Sequence, residues 1–302
     1  MPEGDTLYRT AETLRRALRG KTVTGFDTDQ DIVRMIDRRL PVVGRCVAAV
    51  ESHGKHLLIV LRPADAPPAP GEGQGPKAPE GFPVDLALGD LVLHSHLRMT
   101  GSWHIYRPGE AWRKPRANMR VALATADFVA PCFSAPVVEL LTAREAVRHP
   151  MLASRGGSVI DDDFDSDDAF RRLRARADMP IGVAIMDQRA LAGVGNVFKS
   201  EVLFLERISP FVMVAELTDD QVRALIARSE QLLRLNRGGG MRRTNFGLDR
   251  SQPLWAYGRS GEPCRICGAR IACRRQGLDG RTTYYCPACQ HTGNVGAAGH
   301  VP

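Results

Sequence analysis

The chain has 302 residues, a formal net charge of +7 and 43% hydrophobic residues, enough for two domains or one large domain with a sizeable core. Its first twenty residues are charged and amphipathic, and no apolar run approaches the ~18 residues that a membrane span requires. This pattern argues against a secreted or membrane protein. We expect a soluble, cytoplasmic chain with no membrane partner.

The chain opens with a helical pattern and continues with short strand patterns. Apolar residues at positions 7, 11, 14 and 18 predict a helix over residues 5–19, which Gly20 ends. Fifteen of the twenty-one residues 63–83 are Pro, Gly or Ala, which predicts a disordered surface loop. The strands predicted between residues 22 and 142 include Leu57–Leu61, Leu86–His96, Arg120–Ala126 and Phe128–Phe133.

After about residue 145 the pattern becomes helical. The acidic run Asp161–Asp168 predicts a solvated linker before a helix over Ala169–Ala177, because acids suit the positive end of a helix. A capping box at Thr218 and Gln221 predicts another helix. The buried face of that helix is expected to contain Val222, Leu225, Ile226 and Leu232. The chain therefore reads as α+β, with a β-rich domain (1–145), a helical domain (146–240) and a Cys-rich module (241–302).

Positive charge is concentrated in the C-terminal quarter of the chain. Between Arg234 and Cys289 there are eleven arginines and three acids, a net charge of +8 against +7 for the whole chain. Such a patch indicates a polyanionic partner, with DNA or RNA first. The alternative is an arginine-rich solvated surface that reflects a biased composition.

Four of the seven cysteines form two pairs, Cys264-x-x-Cys267 and Cys286-x-x-Cys289, separated by eighteen residues. One pair on a tight turn can bind one cation, and two pairs complete a closed tetrahedral zinc site. Two disulfides are the alternative, which a cytoplasmic location disfavours. We therefore predict one structural Zn²⁺, in a site with no open coordination position. Three further cysteines read as ordinary buried or tolerated residues: Cys46, Cys132 and Cys273.

Pro2 and Glu3 directly follow the initiator methionine. Proline is small enough that Met1 is normally removed before it, which leaves a secondary amine with a pKa near ~8. Such an amine can form a Schiff base, as a lysine amine does in covalent catalysis, and Glu3 can act as general acid or base on the same atoms. On its own, Pro2 fits a processed, disordered terminus better.

Together, the proline amine, the zinc ribbon and the basic C-terminal patch resemble the formamidopyrimidine-DNA glycosylase and endonuclease VIII family. The resemblance runs through nearly the whole chain and is strongest in a few short segments that occur in the family's order. These segments are Met1-Pro-Glu-Gly-Asp5, Gly54-Lys55-His-Leu-Leu58, Asp187-Gln-Arg-Ala-Leu-Ala-Gly-Val-Gly-Asn196, Tyr257-Gly-Arg-x-Gly-x-Pro-Cys264, Gly280-Arg281 and Tyr285-Cys-Pro-x-Cys289. The resemblance implies a β-sandwich-type N-terminal domain with an N-terminal helix, a helix–two-turns–helix domain and a zinc ribbon.

The resemblance also implies roles for individual residues. Pro2 corresponds to the Schiff-base nucleophile that attacks the deoxyribose C1′, and Glu3 to the carboxyl that protonates the opening sugar ring. Lys55 corresponds to a second amine that contacts phosphate and assists β-elimination. Arg281 corresponds to the ribbon arginine at the phosphate, tied to the second (δ) elimination. Asn196 would grip the phosphate beside the lesion, although a residue after Gly195 is more often an ordinary helix cap.

A duplex-acting enzyme of this kind must evert its target nucleotide and fill the gap. The segment 96–101 matches the family's intercalating loop, in which Met99 would be the apolar wedge and Arg98 and Thr100 would face the orphaned base. For Met99 the alternative is a cap on the β core. Arg155 is a further candidate for a phosphate contact. The expected partner is damaged duplex DNA, bound by a monomer.

Several positions bear on the branch of the family. Ile181-Gly182-Val183 stands where the formamidopyrimidine branch usually carries a lysine, and the family's Gly-Pro-Asp is replaced within Ser154–Ser158. Asp187-Gln188 and Ser102-Trp103 lean toward the endonuclease VIII branch, so oxidised pyrimidines are favoured over purine lesions such as 8-oxoguanine. A non-catalytic zinc-ribbon DNA-binding protein is the remaining alternative. Such a relative would usually lose Pro2, Glu3 or Lys55.

Overall fold

The structure is a computed structural model that describes residues 2–65, 84–153, 157–247, 249 and 251–290. The chain divides into two compact units, residues 1–154 and 155–302. Within the described ranges no helix has the length and apolar character to cross a membrane. Most of the predicted Pro/Gly/Ala-rich loop (66–83) lies outside the described residues.

The first unit is a two-sheet structure with helices at its surface. Its strands are β1 (Gly25–Thr28), β2 (Cys46–His53), β3 (His56–Arg62), β4 (Leu91–His96), β5 (Ser102–Trp103), β6 (Met119–Ala124), β7 (Val129–Phe133) and β8 (Val137–Thr142). Its helices are α1 (Gly4–Leu18), α2 (Asp31–Arg39), α3 (Ala143–Arg148) and α4 (Pro150–Ala153). One antiparallel sheet has the strand order β1-β6-β7-β5 and the other β2-β3-β4-β8.

The core of the first unit lies between the two sheets and α1. Leu57 and Ile59 of β3 belong to the same buried cluster as Val121 of the other sheet and Leu7 and Leu14 of α1. Because β-strand side chains alternate, the odd-numbered residues of β3 face this core. Burying each large apolar side chain stabilises the fold by about 1.5–3 kcal/mol. The predicted β-sandwich-type domain with an N-terminal helix is confirmed.

The predicted elements of this unit agree with the structure except in two places. The strand predicted from Leu86 begins only at Leu91, since Gly89 has a φ of 97° and the Asp90 carboxylate accepts a hydrogen bond from the Ala87 backbone N–H in a turn. Helix α2 lies in a stretch where only strands were expected. Val33 is the one residue of α2 that is fully buried, but the apolar residues at 32, 33, 35 and 36 have helical spacing, so the sequence did carry a signal for this helix.

The second unit is helical and ends in a β-hairpin. Its helices are α5 (Ser166–Arg174), α6 (Ile181–Ala184), α7 (Asn196–Leu205) and α8 (Asp219–Leu235), and its strands are β9 (Ala272–Gln276) and β10 (Arg281–Tyr285). The helix predicted over 169–177 begins earlier, because the Asp165 side chain accepts hydrogen bonds from the backbone N–H groups of Asp167 and Asp168, each at 2.9 Å.

The capping box predicted at the start of α8 is confirmed. The Thr218 hydroxyl accepts a hydrogen bond from the Gln221 backbone N–H (3.2 Å), and the Gln221 side chain accepts one from the Thr218 backbone N–H (2.9 Å). The four side chains predicted for the inner face of this helix are all buried: Val222, Leu225, Ile226 and Leu232.

Candidate active site

The N-terminal segment places Pro2 directly before the buried residue Glu3. Glu3 is the N-cap of α1, and its carbonyl oxygen accepts hydrogen bonds from the backbone N–H groups of Thr6 (3.0 Å) and Leu7 (3.1 Å). Glu3 is fully buried, whereas Pro2 is half-buried. The start of the helix therefore holds the Glu3 backbone in place next to Pro2.

Lys55 lies in the tight turn between β2 and β3. The turn joins the paired residues His53 and His56, and Gly54 has a φ of 60°, the left-handed region that glycine adopts without strain. The Lys55 side chain is half-buried. A lysine in a two-residue turn is held at the end of the sheet instead of on one of its faces.

Helix α1 brings Pro2 and Lys55 to the same end of the first unit. The Gly20 backbone N–H donates to the Val47 carbonyl (2.8 Å), and Arg15 Nε donates to the Val50 carbonyl (2.9 Å), so α1 runs antiparallel to β2. From residue 15 back to residue 3 the helix covers about 18 Å. From residue 50 to Lys55 the strand covers about 16 Å. The helix N terminus and the β2–β3 turn therefore lie at the same edge.

The loop after β4 lies at this edge as well, because His96 at the end of β4 pairs with His56. The loop is closed by a hydrogen bond from the Gly101 backbone N–H to the Leu97 carbonyl (2.8 Å). A Cβ at Gly101 would lie only 2.8 Å from the Leu97 backbone, so this close approach requires glycine. Met99 at the tip is 64% exposed. A cap on the β core would be buried, so Met99 is presented to solvent.

The two residues that flank Met99 are each held by a hydrogen bond, Arg98 through its backbone and Thr100 through its side chain. Arg98 has a φ of 44°, an unusual conformation for a residue with a side chain, and its backbone N–H donates to His96 Nδ1 (3.1 Å). The Thr100 hydroxyl donates to the Ser134 carbonyl (2.8 Å). Both side chains are exposed. The loop therefore exposes the side chains of residues 98–100 to solvent.

Asn196 is the first residue of α7, and Gly195 is the N-cap, without a side-chain cap. The Asn196 side-chain Nδ2 donates to the Thr282 carbonyl of β10 (2.8 Å). Its Oδ1 is buried and has no hydrogen-bond partner in the described part of the chain. Asn196 is therefore not the ordinary helix cap that its position suggested, but a link between α7 and the hairpin.

Arg281 is the first residue of β10 and directly precedes Thr282, whose carbonyl accepts the hydrogen bond from Asn196. Asn196 and Arg281 therefore lie close to each other in the second unit. Gly280 before it has a φ of 58°, which forms the hairpin turn. The Arg281 guanidinium is 39% exposed, and its Nε lies 3.9 Å from a carboxylate oxygen of Asp279. The Lys199 amine on α7 donates to the Thr283 hydroxyl (2.7 Å), which secures the hairpin against the helix.

The four predicted zinc ligands converge. Sulfur–sulfur distances are 3.8 Å for Cys264 and Cys289, 3.6 Å for Cys267 and Cys286, and 3.4 Å for Cys267 and Cys289. Four sulfurs at ~2.3 Å from a tetrahedral Zn²⁺ lie about 3.8 Å apart, so the donor set fits this ion. Burial raises the pKa of Cys286 and of Cys289, so these groups stay protonated without a metal, and a bound cation would favour their thiolate forms. The residues hold one structural zinc.

The structure assembles the predicted site residues in two groups. Pro2, Glu3, Lys55 and the 98–100 loop lie in the first unit, and Asn196, Arg281 and the cysteines lie in the second. Arg155 lies outside the described residues.

Two features escaped the sequence analysis. One is a cluster of histidines around Glu139. The other is the buried Glu201, which accepts hydrogen bonds from three consecutive backbone N–H groups. The alternate histidines of β4, His94 and His96, were a sequence signal for the histidine cluster. No sequence signal pointed to Glu201.

Known families match most of the chain. The formamidopyrimidine-DNA glycosylase N-terminal domain matches residues 1–134, the formamidopyrimidine-DNA glycosylase H2TH domain residues 156–243, and the zinc finger found in FPG and IleRS residues 261–292. "Probable endonuclease 8 2" of Streptomyces coelicolor is 37% identical, over 96% of this chain and 94% of that protein. "DNA-(apurinic or apyrimidinic site) lyase Nei2" of Mycolicibacterium smegmatis is 35% identical, over 96% of this chain and 99% of that protein.

Solved structures show the same architecture. Lactococcus lactis Fpg in complex with abasic-site DNA has a TM-score of 0.72 at 22% identity, over 95% of this chain and 99% of that chain. MutM in complex with DNA that contains carbocyclic 8-oxo-G has a TM-score of 0.71 at 20% identity, over 96% of this chain and 100% of that chain. The sandwich, the helical unit and the ribbon thus share the fold of these Fpg structures. Within that class, the chain belongs to the formamidopyrimidine-DNA glycosylase and endonuclease VIII family.

Proposed function

We propose that the chain is a bifunctional DNA glycosylase and AP lyase of base excision repair. The observation that carries this proposal is the pairing of an N-terminal proline with the fully buried carboxyl of Glu3, in a chain whose relatives are named endonuclease 8 and AP lyase. A non-catalytic DNA-binding relative would not need this pair. The presence of Lys55 at the same edge of the first unit supports an enzyme further.

The chemistry begins at the Pro2 nitrogen. This amine attacks the deoxyribose C1′, the bond from C1′ to the base breaks, and the base leaves with the proton that the attacking nitrogen gives up. Glu3 protonates the ring oxygen as the sugar opens, which gives a cationic imine at Pro2. A secondary amine forms this cation without a further proton. The positive charge makes the C2′ proton acidic, and its loss expels the 3′ phosphate.

The phosphates on both sides of the sugar need cationic partners during the eliminations. Lys55 at the edge that carries Pro2 supports the first elimination. Arg281 supports the second, which expels the 5′ phosphate, because a guanidinium can hold two phosphate oxygens at once. Asn196, at the N terminus of α7, contacts the phosphate beside the lesion. Arg155 is a further phosphate contact in this proposal.

The partner is damaged duplex DNA with the lesion flipped out. The exposed tip Arg98–Thr100 enters the gap, with Met99 as the wedge. Residues 1–145 carry the reacting groups, residues 146–240 form the helix–two-turns–helix contact, and residues 241–302 form the ribbon and tail. The enzyme acts as a cytoplasmic monomer, and its C-terminal arginines supply the electrostatic attraction to DNA.

Oxidised pyrimidines are the favoured substrates, since the relatives that align over the whole chain are named endonuclease 8 or Nei2. Purine lesions are the second candidate. The observation in its favour is the fold shared with MutM bound to DNA that contains carbocyclic 8-oxo-G. The two candidates share every proposed reacting group and differ only in the base that is accepted.

Borohydride trapping tests the proposal. The chain is incubated with oligonucleotides that carry thymine glycol, 8-oxoguanine, uracil or an abasic site, and borohydride reduces the imine to a stable amine. We expect a covalent adduct, most of it with thymine glycol and the abasic site. Pro2→Gly should lose most of the adduct while its circular dichroism spectrum stays unchanged. The absence of any adduct from the wild-type chain would refute the enzyme, and wild-type trapping by Pro2→Gly would move the nucleophile to another amine.

A further inference from the structure

One face of the β2-β3-β4-β8 sheet carries a histidine cluster that the proposed reaction does not use. The even-numbered residues of β3 and β4 lie on this face, which α3 and α4 cover. Leu58 and Val60 of β3 and Val92 of β4 form an apolar cluster there with Ala146 and Leu152. Toward the end of the sheet the same face changes to polar, because the next even-numbered residues are histidines.

Two of the histidines converge on one carboxylate oxygen. His94 on β4 lies directly opposite Glu139 on β8, and its Nδ1 is 2.8 Å from Glu139 Oε2. His149, between α3 and α4, has its Nε2 3.2 Å from the same oxygen. One donor atom from each of the three residues lies within 4.8 Å of the others. Strand β4, strand β8 and the α3–α4 junction thus each contribute one potential ligand atom to the same place.

His56 completes the surroundings of His94. Its Nδ1 lies 2.6 Å from His94 Nε2, and the two rings stack with centroids 4.8 Å apart. A histidine that binds a metal through one ring nitrogen almost always donates a hydrogen bond from the other, which fixes the ring and its tautomer. With a metal on Nδ1, His94 would donate from Nε2 to His56. His56 thus stands where an outer-shell partner of His94 is needed.

We propose that His94, Glu139 and His149 form a second metal site, for Zn²⁺ or a similar divalent transition-metal ion. Two imidazoles and one carboxylate are a donor set that such ions prefer. Ligand atoms at ~2.0–2.1 Å from a tetrahedral Zn²⁺ lie about 3.3 Å apart, close to the present nitrogen–oxygen separations. The ion would replace the two protons that now point at the Glu139 oxygen. The side chains of Glu139 (38% exposed) and His149 (16% exposed) leave room for a water as the fourth ligand.

One nitrogen of the cluster lacks a hydrogen-bond partner among the described residues. His149 Nδ1 is buried and has no hydrogen-bond partner among the residues that the structure describes. The proposed ion binds His149 through Nε2 and does not reach Nδ1, so this atom calls for a water as its outer-shell partner. A metal here would join β4, β8 and the α3–α4 junction, all within the first unit and apart from the ribbon cysteines. It would therefore stabilise the sheet end from which the 97–101 loop departs.

Metal titration of the full chain, with its ribbon zinc in place, tests this site. Isothermal titration with Zn²⁺ should show one further ion per chain, and the melting temperature should rise as the ion binds. Co²⁺ should occupy the same site with an absorption spectrum of nitrogen and oxygen ligands, free of thiolate charge-transfer bands. The absence of those bands separates this site from the ribbon.

Three variants locate the ion. His149→Gln and Glu139→Gln each remove one ligand and should weaken uptake of the further ion by more than the roughly 10–100-fold that loss of an outer-shell partner costs. His104→Gln, a histidine of the same unit that is bonded to Ser102 and Tyr106, should bind it like wild type. His149 is partly exposed, so its replacement is expected to fold. The site is refuted if wild type takes up no further ion, or if both ligand variants take it up with wild-type affinity.

Discussion

Glu201 offers a sharp test of how the ribbon is held to the helical part of the second unit. Its side chain on α7 is fully buried. Oε1 accepts hydrogen bonds from the backbone N–H groups of Ala256 (2.9 Å) and Tyr257 (2.7 Å). Oε2 accepts from the Trp255 N–H (2.7 Å) and from the Thr244 hydroxyl. One carboxylate thereby fixes the segment that leads into the cysteines.

Replacement of Glu201 should destabilise this unit strongly. In Glu201→Ala three backbone N–H groups lose an acceptor that is itself fully buried, and each group left unsatisfied costs about 1–3 kcal/mol, which gives at most about 3–9 kcal/mol in total. In Glu201→Gln one oxygen remains for two of the N–H groups, while the amide nitrogen faces the third. We expect a loss of about 2–4 kcal/mol for this variant. The Ala variant could therefore remove most of the stability of the domain.

Urea denaturation, together with the rate of zinc release to a chelator, measures the effect. Both variants should unfold at lower urea, and both should release zinc faster, because the segment before Cys264 is no longer anchored. Glu230→Gln is the matched control, since Glu230 makes an i,i+4 ion pair with Arg234 (2.8 Å) that is worth about 0.3–0.5 kcal/mol. If Glu201→Gln unfolds and releases zinc like the control, the three N–H bonds do not secure the ribbon.

Three further substitutions test the remaining groups. Met99→Ala should slow base release from duplex DNA and leave release from single strands unchanged, because only a duplex needs a wedge, and Met35→Ala, at another exposed methionine, should behave as wild type. An equal loss on both substrates would contradict the wedge. Cys264→Ser should lose zinc and DNA binding together, by metal analysis and gel shift, whereas Cys273→Ser, at an exposed cysteine outside the site, should keep both. Zinc loss with normal DNA binding would show that the ribbon is peripheral. Arg281→Ala should raise the share of β- over δ-elimination product and lower the salt slope of binding by about 0.9, at unchanged zinc content. An unchanged product ratio and slope would leave Arg281 as part of the general basic surface.

Local sequence was sufficient wherever neighbouring residues make the structure. The helix predicted over 5–19 is α1, and the Thr218–Gln221 box starts α8, because helix periodicity and capping depend on residues three or four positions apart. Each Cys-x-x-Cys turn orients its own two sulfurs in a similar way, whereas the β9–β10 hairpin between the pairs brings the two pairs together. Helix α2 was missed although its apolar residues at 32, 33, 35 and 36 have helical spacing, because the whole stretch between residues 22 and 142 was interpreted as strands.

The tertiary structure alone decided which distant residues meet. The course of α1 along β2 places Glu3 at the same edge as Lys55, and no local pattern contains that relation. Asn196 was predicted to contact phosphate, with an ordinary helix cap as the alternative, and neither interpretation contains its bond to a strand more than eighty residues away. The pairing of β4 with β8 sets His94 opposite Glu139. A shift of one residue in that register would turn these side chains to opposite faces of the sheet. Strand register and helix direction follow from burial of the whole core, and therefore cannot be read from a few adjacent residues.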